Sequence, residues 1–385
     1  MFAMKHTRQR KSFAVFAGIV ILSVVLAACG SANTGSGSGT PTANGNNGKG
    51  CKNIGVLLPE TATSARWDGV DRPDLLKDIP LQLSGAHVDY NNAEGSATEQ
   101  QNQAEADLTK GDCILVVAPS DSQAAAAIVA KAKGQGVPVI SYDRLIYSND
   151  LNYYVSFDGV AVGNLQGQYI VQNWKKYAHG ASHVNLVMIN GAKTDNNALL
   201  FNKGAMQALQ PLISNGTFKL VYSIFTPNWD NPTAQTEMEQ ALTANQNNVQ
   251  IAYVANDGMA GTVIAALSQQ KLNGKVLVTG QDATVAGFQQ ILLGNQAMTV
   301  YKAINKEAMA TAQLIAAISS GSSTSSIING QTTVPITGGA NIPSVLETPV
   351  AVDISNITST VLADGFVTKA QICAPPVPAG AGGIC

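Results

Sequence analysis

One rhythm recurs along this chain and limits its possible folds: a short apolar run, a polar cluster, then a segment of helical character. The runs read "NIGVLLP", "AHVDY", "CILVVAP", "VPVISYD", "HVNLVMIN", "KLVYSIF", "QIAYVAN" and "KVLVTGQD". Between them the pattern predicts helices over 97–110, 122–134, 162–177, 202–212, 233–244, 259–270 and 285–293. Gly134 and Gly136 end the alanine-rich helix before Val137, and Asn231 followed by Pro232 reads as a cap and first turn. Strands alternating with helices at this spacing predict an α/β fold with parallel sheets joined by right-handed crossovers.

Eight or more such units exceed one ordinary sheet and core, so two doubly wound lobes are expected. Residues 51–157 plus about 301–325 form the N-terminal lobe. Residues 158–300 plus about 326–372 form the C-terminal lobe, and 373–385 a tail. Hinge strands join the lobes. A helix in "NKEAMATAQLIAAISSG", a connection in "SSTSSIINGQTTVPITGG" and a strand in "TPVAVDI" describe the chain's return between them.

The first fifty residues differ in kind. Lys5, Arg8, Arg10 and Lys11 precede an apolar run from Phe13 to Leu26, followed by Ala27, Ala28 and Cys29. That order describes an export signal over 1–28, and the run is short for a membrane span. Leu26-Ala27-Ala28-Cys29 resembles the bacterial lipobox, which implies a lipid on Cys29 and an anchor on the outer face of the cytoplasmic membrane. Residues 29–50, rich in Gly, Ser, Asn and Thr, read as a flexible linker with a reach of about 25 Å.

Loss of the signal removes four of the 23 basic residues and no acidic one, leaving 19 against 25 and a formal charge of −6. That balance argues against nucleic acid as a partner. Beyond Cys29 the cysteines are Cys51, Cys113, Cys373 and Cys385, an even number for an oxidising compartment. Cys51 and Cys113 each precede an apolar run, and if those runs are adjacent parallel strands their starts lie side by side. The pairings expected are Cys51 with Cys113 and Cys373 with Cys385, free buried thiols being the alternative.

In an open parallel sheet, ligands bind outside the carboxyl ends of the strands. Polar clusters fall there repeatedly: Arg66-Trp67, Asp143-Arg144, Asp195 to Asn197, Trp229, Asn256-Asp257 and Gln281-Asp282. Carboxylates that accept, guanidinium groups that donate, and flat indole walls together suit a ligand with vicinal hydroxyls. A structural ion pair is the plainer reading of Asp143-Arg144, and a helix cap that of Asp282.

The segments "SARWDGVDR", "VISYDRLI", "YYVSFD", "DNNALLFNKGAM", "VANDGMAG", "GKVLVTGQDA" and "MTVYKAI", in this order from about Ile54 to Phe366, carry a resemblance. The chain resembles the sugar-binding proteins of bacterial ABC transporters with the periplasmic binding protein type I fold, in particular the xylose-binding type. The resemblance implies sugar contacts at Arg66, Trp67, Asp143, Arg144, Asp195, Asn197, Trp229, Asn256, Asp282 and Lys302. It implies a monomer that takes D-xylose, with glucose as the other candidate, and delivers it to a membrane permease without cofactor or metal. "IGVLLPETATSARW" also looks like multi-sugar receptors for glucose and galactose, which can act in chemotaxis or signalling. An enzyme is the competing class, since carboxylate pairs alone can hydrolyse glycosides. The chain holds no Gly-x-Ser-x-Gly elbow, His-Glu-x-x-His helix or phosphate-cradling glycine loop.

Overall fold

A computed structural model describes residues 47–385 of the 385-residue chain. The signal over 1–28 and Cys29 lie outside the described residues, as does most of the linker. The linker's last residues depart from the flexible reading. Asn47 to Gly50 form a turn in which Gly48 is buried, with φ +81°. A Cβ on Gly48 would come within 2.7 Å of Ile318 and 2.9 Å of Pro138, so the missing side chain is what lets this turn dock.

In the first lobe the strands are β1 (Asn53–Leu58), β2 (His87–Asn92), β3 (Ile114–Val117), β4 (Val139–Tyr142) and β5 (Tyr153–Phe157). They alternate with α1 (Arg72–Gln82), α2 (Ala97–Lys110) and α3 (Ala126–Gly134). Successive side chains leave a strand on opposite faces. Ile114 and Val116 accordingly join one hydrophobic cluster, while Leu115 and Val117 join the other. A sheet covered on both faces requires the unbroken apolar runs seen in the sequence.

The chain then enters the second lobe through α4 (Gly159–Asn173), whose first turn is capped by Asp158. There follow β6 (Val184–Asn190), α5 (Asn196–Ser214), β7 (Phe218–Phe225), α6 (Asn231–Ala244), β8 (Ile251–Val254), α7 (Asp257–Gln269), β9 (Leu277–Val278), α8 (Val285–Leu292) and β10 (Thr299–Tyr301). Strands β6 to β9 form a parallel sheet in the order β7-β6-β8-β9. The cap of α6 is Asp230 rather than Asn231, because the Asp230 carboxylate accepts from Thr233 N at 2.8 Å and leaves Asn231 and Pro232 as the first helical residues.

Helix α9 (Ile304–Ser320) returns to the first lobe and packs on α1. After it come β11 (Gly330–Thr333), β12 (Asn341–Glu347), β13 (Val350–Val352) and the short α10 (Lys369–Ile372). The seven-stranded first sheet runs β11-β12-β5-β4-β3-β1-β2, antiparallel only between β11 and β12. This corrects the division made from the sequence: residues 330–347, assigned above to the C-terminal lobe, extend the first sheet, with Ser344 in register with Tyr154. Hydrogen bonding of β12 to β5 decides their place, and β11 is an edge strand whose Gln331, Thr332 and Thr333 give no apolar run. Of these three strands only β13 lies with the second lobe, antiparallel to β10, and α10 packs there on α8.

The chain therefore crosses between lobes three times, at Asp158, at Lys302–Ala303 and at Thr348–Pro349. The first and third crossings touch, since Asp158 N donates to Glu347 O at 3.2 Å. Disulfides join Cys51 to Cys113, where β1 and β3 begin side by side, and Cys373 to Cys385 in the tail. No helix among the described residues is long and apolar enough to cross a membrane.

Candidate functional site

The carboxyl ends of the strands in both lobes face one another across a cleft, and their loops meet there. The narrow cavity between them is lined by Arg66, Trp67, Asp143, Arg144, Asp195, Asn197, Trp229, Asn256, Asp282 and Lys302. All ten residues singled out in the sequence thus share one space.

Local structure fixes these side chains before any ligand is considered. Asp195 caps α5 by accepting from Asn197 N at 2.9 Å, and Asn256 caps α7 through Met259 N at 2.9 Å. The Oδ1 of Asn256 is thereby used, so its amide nitrogen is what remains for a ligand. Asp143, Trp229 and Asp282 have positive φ of 56°, 58° and 101°, a region few non-glycine residues occupy. At Asp143 the surroundings hold that conformation: its N–H donates to Val155 O at 2.8 Å, and its carbonyl accepts from Tyr154 at 2.9 Å and Ser156 at 2.6 Å. Trp229 fits because residue 191 is glycine; a Cβ there would stand 2.2 Å from the indole ring.

An ion network fills the first-lobe side. Arg66 binds Asp71 through two nitrogens, at 2.6 and 2.8 Å, Asp143 at 2.6 Å and Glu307 at 2.9 Å. Four of its five N–H groups are committed, so Arg66 serves mainly to hold three carboxylates in place. Lys302 Nζ reaches Asp143 Oδ1 at 3.1 Å and lies 3.7 Å from Asp282 Oδ1. Burial alone would raise the Asp143 carboxyl, but Arg66, Lys302 and Arg144 outweigh it and hold the group well below the usual carboxylate range. Glu307 moves the other way, pushed well above its ordinary range by burial and by the charge of Asp143 against the pull of Arg66.

Contacts between lobes close the cleft. Arg144 Nε pairs with Asp195 Oδ2 at 2.9 Å, Asn197 Nδ2 donates to the Asp143 carbonyl at 3.1 Å and carboxylate at 3.2 Å, and Asn231 Nδ2 donates to Thr63 O at 3.3 Å. Trp229 Nε1 donates to the same Asp195 oxygen at 3.2 Å. The guanidinium groups of Arg66 and Arg144 lie 4.5 and 5.1 Å from the Trp67 ring centre. Trp67 is thus in cation–π contact as well as forming a cavity wall.

Several polar atoms around the cavity are buried without a hydrogen-bond partner: Thr63 Oγ1 and Trp67 Nε1 in the first lobe, and Asn197 Oδ1, Gln281 Oε1 and Asp282 Oδ1 in the second. A buried donor or acceptor left unpaired costs roughly 1–3 kcal/mol, and most are paired in native structures. Five such atoms around one cavity constitute a set of positions for hydroxyl groups. Asp282 is not a helix cap, because Thr284 caps α8. No group of three or more His, Cys, Asp or Glu side chains among the described residues is placed to hold a metal ion.

Residues 81–323 match the family described as the periplasmic binding protein domain. The chain belongs to the periplasmic binding protein family. It is 40% identical to the D-xylose-binding periplasmic protein of Haemophilus influenzae, over 75% of this chain and 83% of that relative. To the D-xylose-binding periplasmic protein of Escherichia coli it is 36% identical, over 83% and 92%. Among solved structures, a carbohydrate transporter solute binding protein of Chloroflexus aurantiacus in complex with D-glucose superposes with a TM-score of 0.74 at 30% identity, covering 84% of this chain and 98% of that one.

The cavity of this periplasmic binding protein also contains Gln281, read above as part of a strand-end cluster but not as a sugar contact, and Thr63, Ser64 and Phe201, which the sequence alone did not single out. Phe201 lies four positions after Asn197, on the same face of α5, and that spacing was the available signal. Ser64 adjoins the Arg66-Trp67 cluster. Asp71 and Glu307 hold Arg66 from beneath and have no local signature, Glu307 being 241 residues away in sequence.

Proposed function

We propose that the protein is an extracytoplasmic solute-binding protein that captures a monosaccharide, D-xylose in preference to D-glucose, in the cleft and delivers it to an ABC transporter permease. The observation that carries this reading is the set of unpartnered buried polar atoms contributed by both lobes to one cavity. A sugar hydroxyl both donates and accepts, so vicinal hydroxyls can serve the Trp67 donor and the Asn197, Gln281 and Asp282 acceptors together. The indoles of Trp67 and Trp229 and the ring of Phe201 supply apolar surface for the C–H faces of the sugar. A ligand that touches both lobes favours the closed arrangement by the difference in contacts between closed and open.

The relatives named for D-xylose support that sugar as first choice, and the D-glucose complex of the Chloroflexus aurantiacus protein supports glucose as the second. Calorimetric titration with D-xylose, D-glucose, D-ribose, L-arabinose and D-galactose tests the reading. The tightest binding is expected for D-xylose; absence of heat with every pentose and hexose overturns it. The protein is read as a monomer without hydrolytic activity, and turnover of xylosides by the pure chain would count against that.

The periplasmic description of the relatives supports export, and Leu26-Ala27-Ala28-Cys29 supports anchoring by a lipid on Cys29. Inhibition of lipoprotein signal peptidase is expected to leave an uncut precursor, and normal processing would argue against the anchor.

A further inference from the structure

We infer that the cleft accepts the terminal unit of a neutral glycoside or disaccharide, whose second unit lies in a groove adjoining the monosaccharide cavity. The inference rests on the proposed sugar site and extends it.

The groove, about 710 Å³, runs between residues 61–70 of the first lobe and the N-terminal turns of α7 and α8, with Phe366 and Gln371 at its far end. It shares Thr63, Ser64, Arg66 and Asp282 with the smaller cavity. The polar contact at this shared boundary is weak: Ser64 Oγ stands 3.4 Å from Asp282 Oδ2, long for a bond between oxygens. Asp282 is 6% exposed, and its Oδ1 has no hydrogen-bond partner. A substituted sugar displaces the Ser64 contact and the Asn231 Nδ2 to Thr63 O bond, itself 3.3 Å long, while a ring hydroxyl gives the Asp282 Oδ1 a hydrogen-bond donor.

The lining argues for the class of occupant. Arg66, Asp257 and Asp282 are its only charged residues, and the first two are committed to internal partners. An ionic ligand therefore meets little free counter-charge. Amides of Asn231, Gln289 and Gln371 can serve hydroxyls, and the half-buried Phe366 ring can lie against C–H groups. Space for a second ring comes from glycines: a Cβ on Gly69 or Gly261 would meet nothing within 4 Å.

Gly261 is in the helix α7, away from the smaller cavity, so Gly261→Leu fills the groove without touching the monosaccharide site. Ala286→Phe does the same from the exposed face of α8. Calorimetry on the mature chain with D-xylose and with β-1,4-xylobiose tests the inference. The unsubstituted protein should bind both sugars, and each variant should lose about tenfold or more in xylobiose affinity with D-xylose affinity unchanged. Binding of xylose without xylobiose overturns this inference alone. Undiminished xylobiose binding by both variants overturns the groove assignment. Failure to bind either sugar removes the monosaccharide reading itself.

Discussion

Two fully buried aspartates, Asp143 in the first lobe and Asp257 in the second, support the site in opposite ways. Asp143 sits among Arg66, Lys302 and Arg144, and those cations hold its carboxyl well below the usual range against the effect of burial. Asp257 accepts only from neutral donors: Thr284 N at 2.8 Å, Thr284 Oγ1 at 3.2 Å, Gln296 Nε2 at 2.8 Å and Thr299 Oγ1 at 2.9 Å. Burial pushes its carboxyl up to about 7, and nearby Asp282 adds to the rise. The first lobe thus fixes its binding loop with paired charge, and the second fixes the loop carrying Gln281 and Asp282 with a group that titrates near neutrality.

The largest effect is expected at Arg66. Arg66→Met leaves Asp71, Asp143 and Glu307 without their shared cation, and removing one partner of a buried ionic group costs roughly 3–5 kcal/mol. Denaturant unfolding should register that loss, and unchanged stability would mean that the network does not hold the lobe together. Arg144→Ala should act on binding rather than on folding. Its pair with Asp195 spans the lobes, so an opened cleft can rehydrate the abandoned carboxylate. One charge-assisted contact contributes roughly 1.5–3 kcal/mol, more than a factor of ten in affinity. Calorimetry reads this directly, and an unaltered dissociation constant removes Arg144 from the site.

A smaller, pH-dependent effect separates the two aspartates. The folded-state rise at Asp257 means that its contribution to stability is fully present below its ordinary value of 3.8 and is lost as pH rises through about 7. Asp143, with its lowered carboxyl, contributes in the opposite sense: its stabilisation is present above the ordinary value and is lost on acidification. Melting temperatures of the native protein and of Asp257→Asn from pH 4 to 8 should therefore diverge with a slope, and a constant difference would rule out ionisation of Asp257 as the cause. The least effect belongs to surface charge. Lys133 pairs with Asp150 at 2.5 Å, yet both are exposed, so Lys133→Ala should change unfolding free energy by no more than about 1 kcal/mol.

Much of this arrangement is legible in the sequence because buried parallel strands require apolar runs, and the polar residues that end those runs mark the cleft. Asp143, Asp195, Asn256 and Asp282 were accessible for that reason. Other parts leave no such trace. Strand β12 carries Pro343 and Ser344, so it does not present the pattern of a buried strand. Helix α1 has Pro80 in its last turn and a largely polar face, which hides its period. Glu307 acquires its role only when a distant segment folds against Arg66, and no spacing in the chain announces a partner 241 residues away.

The three adjoining passages of the backbone, with Asp158 tied to Glu347, have a mechanical consequence. A single strap would let the two halves twist and slide freely. Three side by side act as a book's spine does for its covers, restricting travel to one axis and bringing the same residues face to face at every turn. Little orientational freedom is then left to surrender when the covers meet, and more of the energy gained from the guest remains to grip it.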